Sequence, residues 1–157
     1  MGYAPGLMAA YVVTAVFCER LLNEKDGTAS LVRIIDRVHH EATAIDTATR
    51  VESTSSEALA AVEGAPFLHQ MVFYVSLWVD APGTHQVDVT IAYEDGPRFE
   101  VASAGIEFSE PRQGRNMAVN IDGFPRPGDL WADVAIDGVL KTRTPLTLRR
   151  ELGTLAQ

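Results

Sequence analysis

The sequence predicts an all-β fold, an antiparallel two-sheet β-sandwich of immunoglobulin-like or Greek-key type with about eight strands. Two observations carry this expectation. Four Asp-Gly dipeptides (Asp26-Gly27, Asp95-Gly96, Asp122-Gly123 and Asp137-Gly138) punctuate runs in which apolar and polar residues alternate. Asp-Gly suits a two-residue type I′ hairpin turn because both central positions need positive φ, which Gly adopts freely and Asp tolerates. Pro82-Gly83 and Pro127-Gly128 add two turns in which Pro presets φ at one corner and Gly supplies positive φ at the next.

The elements follow in order. Tyr11 to Cys18 is apolar in both registers, as in a central strand covered on both faces. Asn23 to Gly27 is a polar turn, and Ser30 to Val38 returns as the hairpin partner with Leu31, Val32, Ile34, Ile35 and Val38. Residues 41–65 are rich in Thr, Ser, Ala and Glu and read as a crossing connection. It would hold a short strand at Ile45 to Val51 and a short helix near residues 55–63, capped by Ser55 or Ser56 and ended by Gly64. A long connection of this kind is what a Greek-key crossover needs, whereas an up-and-down barrel uses short turns throughout.

Phe67 to Val79 carries the strongest strand signal. Its odd register is apolar apart from His69, while the even register carries Tyr74 and Trp78. Val87, Val89, Ile91 and Tyr93 then alternate with polar residues, which predicts one wet face. Phe99, Val101, Ile106 and Phe108 mark one or two strands broken at Gly105, and Met117, Val119 and Ile121 mark another. Leu130, Ala132, Val134 and Ile136 form an inner face opposite Trp131 and Asp133. Leu140, Leu146 and Leu148 follow in a last strand that Pro145 marks as an edge.

Bulk properties bound the function. At 157 residues, 46% hydrophobic and 22% charged, the chain fits one domain over residues 1–157 with an adequate core. A net charge of -8 without a basic stripe argues against a nucleic-acid partner, which Lys and Arg would have to neutralise. Arg149-Arg150, followed by Glu151, is too small a patch for an anionic membrane. The apolar stretch Leu7 to Cys18 is too short to span a bilayer and lacks a signal peptide's charged start. The lone Cys18 allows no intrachain disulfide and points to a reducing, cytoplasmic compartment.

Two stretches carry a resemblance. One runs from Val16-Phe17-Cys18-Glu19 through Gly27 to Ser30-Leu31-Val32-Arg33-Ile34-Ile35-Asp36. The other runs from Pro127-Gly128-Asp129-Leu130-Trp131 through Val134 and Asp137-Gly138 to Pro145-Leu146. Together they resemble an uncharacterised family of small bacterial and phage-associated β-sandwich proteins, a domain of unknown function. The resemblance implies the fold and assigns no activity.

Signals for chemistry are sparse. No Gly-x-Ser-x-Gly elbow is present, and Cys18 reads as a small core residue rather than a nucleophile. His39-His40-Glu41 reads as a solvated strand end, because neighbouring strand residues face opposite ways, and His69 reads as a core or rim histidine. Asp80, Asp95, Asp122, Asp129 and Asp137 could supply oxygens for calcium, but turn formation explains most of them. The sequence therefore predicts no catalytic residue, no metal and no cofactor. Tyr74, Trp78 and Trp131 are the candidate interface or ligand surface, since aromatics outside the core serve as anchors or flat platforms. The expected function is a non-enzymatic interaction or structural module with a protein partner or a homo-oligomer. The alternatives are a small-ligand or carbohydrate-binding domain on the same aromatics and a metal-dependent hydrolase.

Overall fold

A computed structural model describes residues 10–42 and 66–152. Among these, nine strands form: β1 (Ala10–Asn23), β2 (Ala29–Ile35), β3 (Arg37–Ala42), β4 (Phe67–Val79), β5 (Gly83–Tyr93), β6 (Arg98–Phe108), β7 (Gln113–Phe124), β8 (Gly128–Ile136) and β9 (Val139–Leu152). They build two sheets, ordered β2-β1-β4-β7 and β3-β9-β8-β5-β6. The chain is a β-sandwich. The inner registers of β4, β5 and β8 read from the sequence are all buried, from Phe67 and Met71 to Val79, from Val87 to Tyr93, and from Leu130 to Ile136. One cluster joins them across the two sheets with Phe17, Phe108, Leu146 and Leu148. Each fully buried apolar side chain stabilises the fold by roughly 1.5–3 kcal/mol relative to exposure, so this shared core holds the sheets face to face.

Turn chemistry explains three of the four Asp-Gly sites. Asp137 and Gly138 have φ of 51° and 80°, the positive pair that a type I′ turn between β8 and β9 requires. Gly27 and Gly96 also have positive φ in turns. Asp122-Gly123 is different, because it lies inside β7. A Cβ on Gly123 would sit 3.0 Å from the Phe67 carbonyl oxygen and 3.2 Å from a Leu68 methyl carbon. The glycine permits close approach to β4 rather than a turn.

Four other expectations are corrected. Ser30 to Val38 is not one strand. The chain breaks at Asp36, β2 pairs with β1 in one sheet, and β3 enters the other. Ile35 and Val38 can thereby both be buried in the core, and the Thr147 N–H donates to the Asp36 carbonyl at the crossing. Secondly, β3 runs parallel to β9, so the second sheet is not purely antiparallel. Thirdly, β6 continues through Gly105, which pairs with Gln86 in extended conformation. Finally, β9 is not an edge, since it lies between β8 and β3. Pro145 is tolerated because β3 joins only from Thr147 onward, leaving the proline with a ladder neighbour on one side, at Trp131. The short strand and helix expected within residues 41–65 lie outside the described residues, apart from residues 41 and 42 at the end of β3.

Candidate functional site

Strand pairing decides which way each candidate aromatic faces. Phe73, Val75 and Leu77 of β4 point into the core, so Tyr74 and Trp78 lie on the outer face of the four-stranded sheet. Trp131 lies between the buried Leu130 and Ala132 of β8, on the outer face of the five-stranded sheet. The three do not form one surface. A sandwich has two outer faces, and the candidate residues are divided between them.

The outer face of the four-stranded sheet is apolar at its centre, with Thr14, Arg20, Ser76, Asn116 and Asn120 around it. Across it, Tyr11 pairs with Trp78, Val16 with Tyr74, and Cys18 with Val72 on one side and Ile34 on the other. At its centre Cys18 and Tyr74 are buried and Val16 and Val72 half-buried. Cys18 is fully buried, as expected of a small core residue, but on the outer side of its sheet, and burial pushes its thiol pKa up, which leaves it a poor nucleophile. Toward the ends the apolar side chains are open. Of the seven exposed large hydrophobics among the described residues, Tyr11, Val13, Leu22, Ile34 and Leu68 belong to this sheet and are 44 to 73% exposed. The Tyr11 hydroxyl donates to Asp80 at 3.3 Å.

The outer face of the five-stranded sheet is polar and tied together. Asp133, only 5% exposed, accepts from the Arg143 Nε–H at 2.8 Å and lies 3.4 Å from Arg98. The same Arg143 guanidinium lies 5.0 Å from the centroid of the Trp131 ring. A flat ligand would have to displace it. Further along, Ser103 donates to Asp88 at 2.6 Å and accepts from Gln86 at 2.7 Å.

His85 and Asp137 are 2.6 Å apart, the separation of a base and the carboxylate that orients it. Among the described residues no Ser, Thr or Cys hydroxyl or thiol is bonded to His85 to complete the pair. Ser103 bonds to Asp88 and Gln86 on the outer face, whereas His85 lies in the inward register with its ring edge-on to Phe108. Asp137 also accepts from the Gln86 N–H at 2.9 Å, so the pair pins the β8–β9 turn to the start of β5. Only the fold reveals this contact, because 52 positions separate the two residues.

The loop carboxylates are likewise engaged one by one. Asp95 pairs with Arg126, whose guanidinium lies 4.5 Å from the Tyr93 ring centroid. Asp129 accepts from Arg149 at 3.0 and 3.1 Å and from the Thr147 hydroxyl at 3.0 Å. Among the described residues no group of three or more His, Cys, Asp or Glu side chains is placed to hold a metal ion. A cleft of about 470 Å³ opens where β2 crosses to β3, lined by Glu19, Arg33, Asp36, Arg37, His39 and His69 above Ile35 and Val38. His39 is exposed there, and the side chains of His40 and Glu41 lie outside the described residues.

These contacts set a pH dependence. The Arg149 guanidinium and the Thr147 hydroxyl hold the Asp129 carboxyl below its ordinary value. Burial alone would raise Asp137, but the Gln86 N–H and His85 outweigh it and hold that carboxyl low too. A carboxyl whose pKa is lower folded than unfolded stabilises the fold above its unfolded pKa of about 3.9 and loses that contribution as pH falls through the folded value. Thermal midpoints are therefore expected to be level near neutrality and to drop below about pH 4. The drop should be shallower in Asp129→Asn; an identical acid limb in that variant would contradict the assignment.

Residues 57–149 match the profile of a family of unknown function, DUF6941. The match spans more than half of the chain. The chain belongs to this family. The matched region contains the Pro127 to Leu146 stretch that carried the resemblance and excludes the Val16 to Asp36 stretch. No curated protein matches the sequence. Among solved structures, a β-glucosidase from Listeria innocua aligns with 96% of this chain and 17% of its own, at 8% identity and a TM-score of 0.51. The same enzyme in complex with isofagomine aligns with 96% and 18%, at 6% identity and a TM-score of 0.49. A β-D-glucoside glucohydrolase from Trichoderma reesei aligns with 50% and 14%, at 13% identity and a TM-score of 0.41. The chain thus spans less than a fifth of these enzymes' length, and the likeness concerns the fold alone. Among the described residues no helix is long and apolar enough to cross a membrane.

Proposed function

We propose that the chain is a single, non-enzymatic β-sandwich unit of the cytoplasm that presents the outer face of its four-stranded sheet to a partner protein. The observation that carries this reading is the concentration of exposed apolar side chains on that sheet, at Tyr11, Val13, Leu22, Ile34 and Leu68. The chain carries a net charge of -8. Depletion of charge together with aromatic and aliphatic enrichment is the compositional mark of an interface centre. Trp78, half-buried beside Tyr11, is the aromatic best placed to anchor a contact. The cytoplasmic assignment is supported by the single cysteine, Cys18.

The alternative of a sugar or small-ligand platform has less support, because Arg143 already lies over Trp131 and is itself tied to Asp133.

Site-specific photocrosslinking in cells tests the reading. A crosslinker at Val13 or Ile34 is expected to give discrete adducts, and Trp78→Asp should weaken them. The same group at Glu100 or Ser103, on the polar sheet, should give none. Equal labelling from both faces, or from neither, would remove the proposal.

A further inference from the structure

Among the described residues, the strands that end the two sheets are not equally protected. At one edge of the four-stranded sheet, β2 is interrupted by Arg33, whose φ of 52° kinks a non-glycine backbone. In the five-stranded sheet, β6 shifts register opposite Val89 and Thr90 and carries Arg98, Glu100 and Glu107, while β3 has six residues. Kinks, bulges, charge and brevity are the devices by which edge strands avoid pairing with other chains. Strand β7 confines them to its ends, with Arg115 near one and, at the other, Asp122 and a register shift between Ile121 and Gly123. Its pairing with β4 runs unbroken from Gln113 to Ile121, and Arg115 is the one charged residue in that stretch. Among the described residues no strand pairs with its other side.

The geometry points to this edge as a self-association site, where β7 of a second copy adds in antiparallel register and joins two four-stranded sheets into one. The chain's own pattern permits the pairing. Antiparallel strands related by a two-fold axis through Val119 would set Met117 opposite Ile121 and Ala118 opposite Asn120. An axis through Ala118 would set Met117 opposite Val119 and Asn116 opposite Asn120. Arg115 would face Gly123 in the first arrangement and Ile121 in the second, so neither opposes like charges, which is what destabilises cross-strand pairs. For a chain of net charge -8, a second copy is repelled by most surfaces and least by this nearly uncharged one. An isologous contact of this type closes as a dimer. The edge is distinct from the outer apolar face, which edge pairing would leave open.

Light scattering across a dilution series should give twice the chain mass. Ala118→Cys and Asn120→Cys, oxidised alone and as a mixture, then read the register. Both sites are exposed, whereas the native Cys18 is buried. An axis through Ala118 gives a disulfide in Ala118→Cys alone, and an axis through Val119 gives one in the mixture. A monomer mass at every concentration overturns the inference. So does a dimer trapped by Ile34→Cys but by neither β7 cysteine, which would keep the outer face as a contact surface while removing the edge.

Discussion

Phe17→Ala is expected to cost about 3–5 kcal/mol of stability, the range for emptying a buried phenylalanine site, and to lower the melting temperature by roughly 10 °C in a chain of this size. Phe17 is fully buried in β1, and its ring centroid lies 4.7 Å from that of Phe73 in β4, at a 46° tilt. The pair sits beneath the register Phe17↔Ile35 and Phe17↔Phe73, where three strands of one sheet meet the core. Removing the ring forfeits both its transfer energy and its packing, and close-packed neighbours relax only in part. Denaturant midpoints would measure the loss. Phe17→Leu, which keeps most of the volume, should lose only about 1.5 kcal/mol or less and guards against a variant that does not fold. A cost for Phe17→Ala no greater than for Phe17→Leu would mean that the site collapses freely, contrary to its position between two sheets.

Arg143→Ala is expected to cost about 2–4 kcal/mol, more than its exposed surface position suggests, because it removes a partner from a buried carboxylate. Asp133 is almost wholly enclosed, and Arg143 is its closest cation, with Arg98 further off at 3.4 Å. Arg98 limits the loss by remaining as a second, more solvated partner. Loss of Arg143 also uncovers Trp131, so a change in tryptophan emission should accompany the destabilisation. Replacing both members, Asp133→Asn with Arg143→Ala, should recover part of the stability, since no buried charge is then left unpaired. A double variant less stable than the sum of the two single changes would show that the ion pair is not what the arginine contributes.

Particular elements show what sequence patterning can and cannot reach. The inner registers of β4, β5 and β8 were legible because alternation is a local property, and the face buried by one residue is buried by every second residue after it. The turn at Asp137-Gly138 was legible for the same reason, since positive φ is a requirement of the two residues themselves. Asp122-Gly123 misled because the same dipeptide also serves close strand approach, and only the neighbouring Phe67 carbonyl distinguishes the two uses. Pro145 misled similarly, because being an edge is a property of one ladder position rather than of a whole strand.

The registers turn Tyr74, Trp78 and Trp131 away from the inter-sheet core, but which of the two outer faces each belongs to, and that Tyr74 is buried on its face rather than exposed, depends on which sheet its strand joins. Tyr11, Val13, Ile34 and Leu68 went unnoticed as part of that surface because an exposed apolar residue and a buried one look alike in a strand that is apolar in both registers.

The all-β class, most strands and their inward faces can be read from local pattern, because they rest on period-two alternation and on backbone preferences of single residues. Sheet membership, the parallel β3–β9 pair, the His85–Asp137 and Asp133–Arg143 contacts, and the place of β7 at the end of its sheet all come from the assembled fold. Each of these depends on which distant strands lie side by side, and that choice is made by the summed burial of one shared core rather than by any local segment.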